Sequence, residues 1–484
     1  MRNYKLLSLL AIGLFAMSSC SKVDFGDTNV NPGLVETPST RALLTNAEQN
    51  IPSLFSGQDF NSVLLAQYLS EGPYITGSGY SPITAGIGYG GFYTSPLIQL
   101  KTIIDFNNNN GIQADPGANG SKNNQLATAR ILRAFIFWKL TDRWGDLPYS
   151  QALQGGANVT PVYDKQQDIY TSLFKELKEA AAQIDAGTGT QGDILLGGDM
   201  AAWKRFAATQ RLFMALRMSK VYPGASELAA TEFNAALPDV IASNAQNISY
   251  KYLAGDPNNF NPFYNNYSIS NRNDYAISLT LVNIMTKNNT ITDPRLPKYG
   301  EVLNGQVVGL PYGRTLATNI PNIYSRVGAS FRAADSPSPI FTFAQVSFAK
   351  AEAAKRGWIA GGETAAATFY NAGIDASLAQ NSVTSATYAT QPGVVYNPAT
   401  GFEQIATQRY IATYLDGFEA WSEYRRTGFP ALVPGPNSTL ATVPRRIVYP
   451  AGDKTSNGEN YLKVVAQQGA DNALTRMWWD KPAP

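Results

Sequence analysis

The sequence predicts an all-α fold built from tetratricopeptide-like helix pairs, with one loop-rich, irregular face that could bind a ligand. Three observations carry this prediction. Apolar residues recur every three or four positions in several long segments, which is the period of a helix buried on one side. Residues 344–380 form a unit of about 35 residues with glycines in the middle, the size of a helix–turn–helix repeat. Stretches rich in Gly, Asn, Pro and Tyr, without helical period, separate the helical segments.

The first residues have the pattern of a bacterial export signal. Arg2 and Lys5 precede an apolar run over 6–17, and two serines then lead to Cys20. The run has about 12 residues, fewer than the roughly 20 that a membrane-spanning helix needs. An ordinary signal peptide would also explain the run. However, Cys20 is the single cysteine of the chain, and its place after small residues resembles a lipoprotein cleavage site. We therefore expect a signal peptide at 1–19 and lipidation of Cys20.

Two regions follow the predicted cleavage site. Residues 20–40 have little apolar content and are expected to form an extended, lipidated tether. Residues 41–484 contain no low-complexity linker and are expected to form a single helical domain with long loop insertions. The insertions are 71–96, predicted to be a long ordered loop, and 245–340, predicted to be only partly regular.

Charge and composition exclude several classes of function. Residues 1–19 carry two of the 38 basic residues and none of the 36 acidic ones, so the mature chain has 36 of each. This balance disfavours nucleic acid and anionic lipid as partners, because both attract basic surfaces. The chain has no histidine, which removes Ser-His-Asp and Cys-His catalysis and the commonest zinc ligand. Carboxylate chemistry of the glycosidase type remains open. No phosphate-loop or EF-hand spacing is present, so we expect no cofactor and no metal.

Three segments after the first insertion carry helical periodicity. The first ends at Gly145 and Pro148, both of which stop helices. The second begins near Asp164, which has capping-box spacing with Gln167, and the third follows Asp199, another capping candidate. The apolar positions of the three segments are Ala129, Leu132, Ile136 and Leu140, then Ile169, Leu173, Leu177, Ala181 and Ile184, then Trp203, Phe206, Phe213 and Leu216.

The C-terminal half contains the predicted helix pair and a last helix. Small residues such as Ala349 and Ala353 recur at i, i+4 within 344–380, which lets two helices approach closely. A final helix is expected over about 403–427, with Gly428 as its stop signal.

Several motifs together resemble the SusD/RagB-like outer-membrane lipoproteins of the Bacteroidota, especially their SusD-like branch. Each motif is weak alone, but they occur in the family's order behind a lipoprotein-type N-terminus. The stretch 21–27 (SKVDFGD) is also similar to the acidic segment that sends such lipoproteins to the cell surface, although Val23 and Phe25 interrupt it. The matching motifs are 142–149 (DRWGDLPY), 198–206 (GDMAAWKRF), 293–296 (DPRL), 351–357 (AEAAKRG), 421–430 (WSEYRRTGFP) and 444–447 (PRRI).

The resemblance implies a function as well as a fold. Family members sit on a TonB-dependent SusC-like transporter in the outer membrane, held by a lipid anchor and facing the cell exterior. They capture oligosaccharides, and some capture peptides, without cleaving them. The resemblance therefore implies a glycan-binding nutrient-uptake protein that is not an enzyme. A peptide- or protein-binding lid and, as a different class, a carboxylate-dependent glycosidase remain the alternatives.

The candidate ligand residues lie in the aromatic loops. Sugars stack an apolar face on aromatic rings and present hydroxyl groups to Asn, Asp and Arg side chains. The two stretches around 71–96 and 257–275 interleave tyrosine with glycine or asparagine and have no helix face to bury every ring. The alternative is that most of these rings pack the loops onto the body. The candidates are Tyr74, Tyr80, Tyr89, Tyr93, Tyr264, Tyr267, Asn266 and Arg272.

Other conspicuous residues are expected to be structural. Glu419 and Glu423 have the i, i+4 spacing of a carboxylate pair, but basic residues such as Arg425 and Arg426 surround them. Ion pairing is therefore the expected role, and no catalytic residue is assigned. The Asp293–Arg295 motif is expected to hold the scaffold in the same way.

Overall fold

Helices make up most of the part of the chain that the computed structural model describes, which is residues 39–482 apart from 58, 110–115 and 317–318. The all-α prediction is confirmed. The helices are α1 (Thr40–Gln49), α2 (Phe60–Leu65), α3 (Ser81–Ala85), α4 (Gly90–Phe92), α5 (Ile98–Asn108), α6 (Pro116–Asn119), α7 (Lys122–Trp144), α8 (Gln166–Gln183), α9 (Met200–Arg217), α10 (Leu228–Ala236), α11 (Pro262–Tyr264), α12 (Leu279–Thr286), α13 (Leu296–Tyr299), α14 (Phe343–Lys355), α15 (Gly362–Gln380), α16 (Gly401–Ala412), α17 (Gly417–Thr427), α18 (Ala451–Ser456) and α19 (Gly458–Gln468).

The long helices pack in consecutive pairs, as tetratricopeptide-like helices do. Helix α7 packs on α8, α9 on α10, α14 on α15 and α16 on α17. Local signals set the helix ends: the Asp199 carboxylate accepts a hydrogen bond from the Ala202 N–H at 2.9 Å and caps α9, as predicted. Gly145 follows α7 with φ of +86°, a conformation that a side chain would strain. No helix in the described ranges has the length and apolar character needed to cross a bilayer.

Two details of the predicted helices are wrong. Helix α8 begins at Gln166 after Lys165, and Asp164 instead accepts hydrogen bonds from the backbone N–H groups of Tyr149 and Ser150. The expected helix over 403–427 is two helices, α16 and α17, and two more helices follow them. The break occurs because Leu415 adopts φ of +72°, after which Asp416 caps α17.

Two small antiparallel sheets connect distant parts of the chain. Strand β1 (Leu69–Glu71) pairs with β3 (Tyr275–Ile277), and β2 (Ile248–Tyr250) pairs with β4 (Ser338–Phe341). In the first sheet Leu69 lies opposite Ile277 and Glu71 opposite Tyr275. The 245–340 region is thus partly regular, as predicted, and its short elements are tied to the helical body.

A buried ion network lies between the helix pairs. Glu419 and Glu423 of α17 face Arg217 of α9, whose guanidinium group lies 2.8 and 2.5 Å from their carboxylate oxygens. Arg426 donates to Glu423 and, at 2.6 Å, to Glu352 of α14. The prediction that these carboxylates form ion pairs is therefore confirmed.

The other arginine motifs also hold the scaffold. Arg295 is fully buried and donates to Asp293 at 2.6 Å and to the Gln408 side chain of α16 at 2.8 Å. Arg425 is buried as well, and its guanidinium group donates to the Asp142 carbonyl of α7 at 2.6 Å. The two motifs thus connect helices that are far apart in sequence.

Candidate ligand-binding site

The pairing of β1 with β3 brings the two predicted ligand loops, 71–96 and 257–275, together at one edge of the fold. The Gly72 N–H donates to the Asp274 carbonyl at 3.0 Å, one residue beyond the last strand pair. Segment 72–79 leaves β1 at this point, and segment 270–274 enters β3 at the same point. We call this the β1–β3 edge.

Two further segments join the β1–β3 edge. The Asn273 side chain donates to the Ile320 carbonyl at 3.1 Å, which ties the described residues of 311–324 to the strand pair. The Asn437 side chain donates to the Gly313 carbonyl at 3.0 Å and adds 433–440. Four segments that are distant in sequence therefore meet on one irregular surface.

Exposed side chains at the β1–β3 edge combine an aromatic ring, a cation and apolar groups. Tyr74 is 65% exposed, Ile323 is 65% exposed and Ile269 is 59% exposed. Arg272 is also exposed and ion-pairs with Asp274 at 2.5 Å. The Asp274 carboxylate raises the pKa of Arg272. We refer to Tyr74, Ile269, Arg272 and Ile323 as the exposed set.

Hydrogen bonds to the buried Glu71 side chain hold the loop that carries Tyr74. The buried carboxylate of Glu71 accepts hydrogen bonds from the Ser78 N–H at 2.7 Å and from its hydroxyl at 2.6 Å. Burial raises the pKa of Glu71, and these two hydrogen bonds act in the opposite direction. A Cβ on Gly77 would lie 2.4 Å from Cδ1 of Leu64, so a larger residue at this turn would require the leucine side chain to move. The Tyr74 ring is therefore presented on a fixed loop.

The candidates in the second loop are half-buried and lie next to this edge. The Asn266 carbonyl accepts a hydrogen bond from the Arg272 N–H at 3.0 Å. Tyr267 has the guanidinium group of Arg332 over its ring, 4.2 Å from the ring centre. Tyr264 packs edge-to-face on Phe260. These rings leave only part of their surface for a ligand.

Two predicted candidates are core residues instead, and a third is half-buried. Tyr80 is fully buried, Tyr89 is 6% exposed, and the half-buried Tyr93 ring packs edge-to-face on Phe137 of α7. Their hydroxyl groups are engaged by the Gln67 side chain, the Asp453 carboxylate and the Pro148 carbonyl respectively. Burial removes Tyr80 and Tyr89 from the predicted ligand face, whereas Tyr93 stays a half-buried candidate.

The reason for this correction is the local structure of the first insertion. The predicted loop 71–96 is irregular only up to residue 79. After that, α3, α4 and a π-helical turn at Tyr93–Leu97 carry the chain along the body, and the rings of Tyr89 and Tyr93 pack against Trp144 and Phe137 of α7. Pro82 near the start of α3 is the helix-start signal that could have indicated this.

The structure also contains a cavity that the sequence did not predict. It has a volume of about 600 Å³ and lies between α12, α16 and the segments 388–400 and 430–433. No sequence pattern could have revealed it, because its lining comes from segments separated by more than a hundred residues. In the described ranges, no group of three or more His, Cys, Asp or Glu side chains could hold a metal ion.

The fold and this loop-rich surface agree with a family assignment. The family model described as "Starch-binding associating with outer membrane", of the SusD-like type, matches residues 32–450. The chain therefore belongs to the SusD-like family, and the resemblance stated from the sequence motifs is confirmed. The family description associates its members with starch binding and with the outer membrane.

Solved structures of similar proteins support the same fold. A chitin-binding protein is 29% identical over 92% of this chain and 100% of its own, with a TM-score of 0.74. A chitin-binding SusD homologue from Flavobacterium johnsoniae is 26% identical over 92% of this chain and 98% of its own, with a TM-score of 0.75. A Bacteroidetes SusD-like protein at 24% identity, covering 92% of this chain and 100% of its own, has a TM-score of 0.77 and shows the fold alone. A search of curated proteins gave no significant match.

Proposed function

We propose that this chain is a cell-surface lipoprotein that captures a neutral glycan at the β1–β3 edge and delivers it to a TonB-dependent SusC-like transporter. The observation that carries the proposal is the Tyr74 ring, 65% exposed on a loop that meets the segment of Arg272 at the β1–β3 edge. A tyrosine in solvent offers a stacking surface for a sugar face, and a guanidinium group at the same edge can donate to hydroxyl or acetamido oxygens.

The descriptions of similar proteins narrow the class of glycan that we expect this chain to bind. Two structural neighbours above 25% identity are described as chitin-binding, and the family model is described as starch-binding. Both polymers are uncharged, and the mature chain has equal numbers of acidic and basic residues. We propose chitin-type oligosaccharides as the first ligand class and starch-type oligosaccharides as the second.

A polysaccharide panel tests this proposal against the enzyme alternative. The purified mature chain is incubated with chitin, starch and a charged control polymer, and both retention and soluble products are measured. We expect retention on one of the neutral polymers with no release of shorter sugars. Release of products would indicate a glycosidase, and preferential binding of a peptide mixture would indicate a peptide-binding lid.

Anchoring is tested separately, because Cys20 lies outside the described residues. We expect Cys20→Ala to abolish lipid attachment, since no other thiol is available for acylation. The measurement is incorporation of labelled fatty acid, together with fractionation of the outer membrane. Labelling of the variant at the wild-type level would contradict the anchor. Co-purification of wild-type protein with an outer-membrane transporter tests the partner.

A further inference from the structure

The cavity between α12 and α16 is separate from the exposed set. Its lining includes Thr280 and Asn283 of α12, Thr407 of α16, and Gln67, which precedes β1. None of these residues belongs to the exposed set at the β1–β3 edge. We call this space the α12–α16 cavity.

Several polar side chains that line the α12–α16 cavity have no hydrogen-bond partner in the described part of the protein. Over the described ranges, the side chains of Thr280, Asn283 and Thr407 make no hydrogen bond to another protein group. Gln67 is fully buried, and its Oε1 has no hydrogen-bond partner while its Nε2 donates to the Val433 carbonyl at 2.7 Å. A buried acceptor without a partner costs stability, so the fold retains this group at a cost.

The floor of the cavity is preformed. The Gln408 side chain donates to the Tyr388 hydroxyl at 2.9 Å and accepts from Arg295 at 2.8 Å. The Tyr370 hydroxyl donates to the Val394 carbonyl at 2.7 Å. These side chains already have hydrogen-bond partners within the protein. Recognition of a ligand is therefore left to Thr280, Asn283, Thr407 and the Oε1 atom of Gln67.

Two helices end at the cavity. Gln67 follows α2 and Lys287 follows α12, and each has a left-handed backbone, with φ of 56° and 44°, that closes the last turn of its helix. Hydrogen-bonded helix ends therefore position these lining residues.

We propose that the α12–α16 cavity is a second binding site, which takes a neutral mono- or disaccharide. Its volume of about 600 Å³ lies in the range of small-molecule sites. The unengaged groups are amides and hydroxyls, which match sugar hydroxyls, and Ile284 and Ile411 provide apolar walls. Lys287 and Glu403 contribute one charge of each sign, so the lining favours an uncharged ligand. The site goes beyond the glycan surface proposed above and does not depend on it.

The test uses short sugars and variants that disable each site in turn. Glucose, N-acetylglucosamine, maltose and diacetylchitobiose are titrated into the mature chain and followed by protein-observed NMR or calorimetry. The cavity variant is Asn283→Leu with Thr407→Val, which keeps side-chain volume but removes the polar groups. Thr102→Val, half-buried on α5, is the matched control, and Tyr74→Ala disables only the exposed set. Melting temperatures identify any variant that fails to fold.

The expected result is binding of at least one sugar with a Kd on the order of 1 mM, unchanged in Tyr74→Ala and Thr102→Val. The cavity variant is expected to weaken this binding by at least about tenfold, because each good hydrogen bond contributes roughly that factor. Equal affinity of the folded cavity variant and the wild type would overturn the proposal. The proposal would also be overturned if Tyr74→Ala bound none of the four sugars. Tighter binding of short peptides than of sugars would overturn it as well. If the melting temperature shows that the double variant does not fold, Thr280→Val replaces it. The same results would then support or overturn the proposal.

Discussion

Tyr74 and Tyr80 lie in one loop sequence, yet their rings have opposite environments. Tyr74 is 65% exposed, whereas Tyr80 is fully buried beside the Gln67 side chain. The difference arises because Glu71 anchors the turn at Ser78, after which α3 carries the chain into the core. Only the ring that lies before this anchor is available to a ligand.

Replacement of Tyr80 tests this assignment at the core. We expect Tyr80→Ala to lower the free energy of unfolding by roughly 3–5 kcal/mol, because it empties a fully packed aromatic site. Denaturant unfolding followed by circular dichroism measures the change. A loss below about 0.5 kcal/mol, the size expected for a surface position, would contradict the burial of this ring.

Glu352 makes the stability of the ion network depend on pH. Burial raises its pKa, but the guanidinium groups of Arg426 and Arg356 outweigh burial and bring the pKa down to about 2. A carboxyl with a lowered folded-state pKa stabilises the fold above its ordinary pKa of 4.5, and this contribution is lost as pH falls toward 2.

We therefore expect the wild type to lose about 3 kcal/mol more stability than Glu352→Gln between pH 4.5 and pH 2. Unfolding free energies measured across this range for both proteins give the difference. Glu459→Gln, at an exposed ion pair with Lys463, is the control and should follow the wild type closely. Parallel curves for the wild type and Glu352→Gln would contradict the assigned pKa.

At the scale of elements, close approach of α14 and α15 depends on a missing side chain. A Cβ on Gly373 of α15 would lie 2.6 Å from the Phe348 ring of α14. The Phe348 ring is packed in the core and cannot move easily. A side chain at position 373 would therefore push α14 and α15 apart. The small residues that predict this helix pair in the sequence thus have a direct steric cause.

Gly373→Ala is expected to destabilise the protein by about 1–3 kcal/mol, although alanine favours helix formation over glycine by about 1 kcal/mol. Gly458→Ala is the matched control, because a Cβ at that first residue of α19 meets no atom within 4 Å. The control should be neutral or slightly more stable. Thermal unfolding of both variants distinguishes steric conflict from helix propensity, and equal effects would rule out the conflict.

The elements also show how far sequence patterns determine the site. The helix pair at 344–380 and the cap at Asp199 follow from local spacing and could be predicted. The β1–β3 edge could not, because strand β1 pairs with a segment about two hundred residues away and three-residue strands carry no periodic signal. The burial of Tyr89 could not be predicted either, since its partner Asp453 lies in a distant helix.

At the scale of the whole molecule, paired helices form the body of the described chain, and the β1–β3 edge is an irregular surface on that body. The paired helices and buried arginines fix the frame, and four distant segments meet at the β1–β3 edge. The same organisation explains how members of one family can keep the body while the loops change their ligand. The proposed delivery to a transporter requires that this surface be accessible to the partner.

The affinity of Tyr74 variants for a neutral oligosaccharide decides whether the β1–β3 edge captures glycan. Calorimetry with chitin-type and starch-type oligosaccharides is performed on the wild type, Tyr74→Phe and Tyr74→Ala. We predict that Tyr74→Phe, which keeps the stacking ring, retains most of the affinity. Tyr74→Ala should weaken binding at least about tenfold, since an exposed aromatic anchor contributes more than 1.4 kcal/mol, without a change in melting temperature. Full affinity of the folded Tyr74→Ala variant would contradict capture of glycan at the β1–β3 edge.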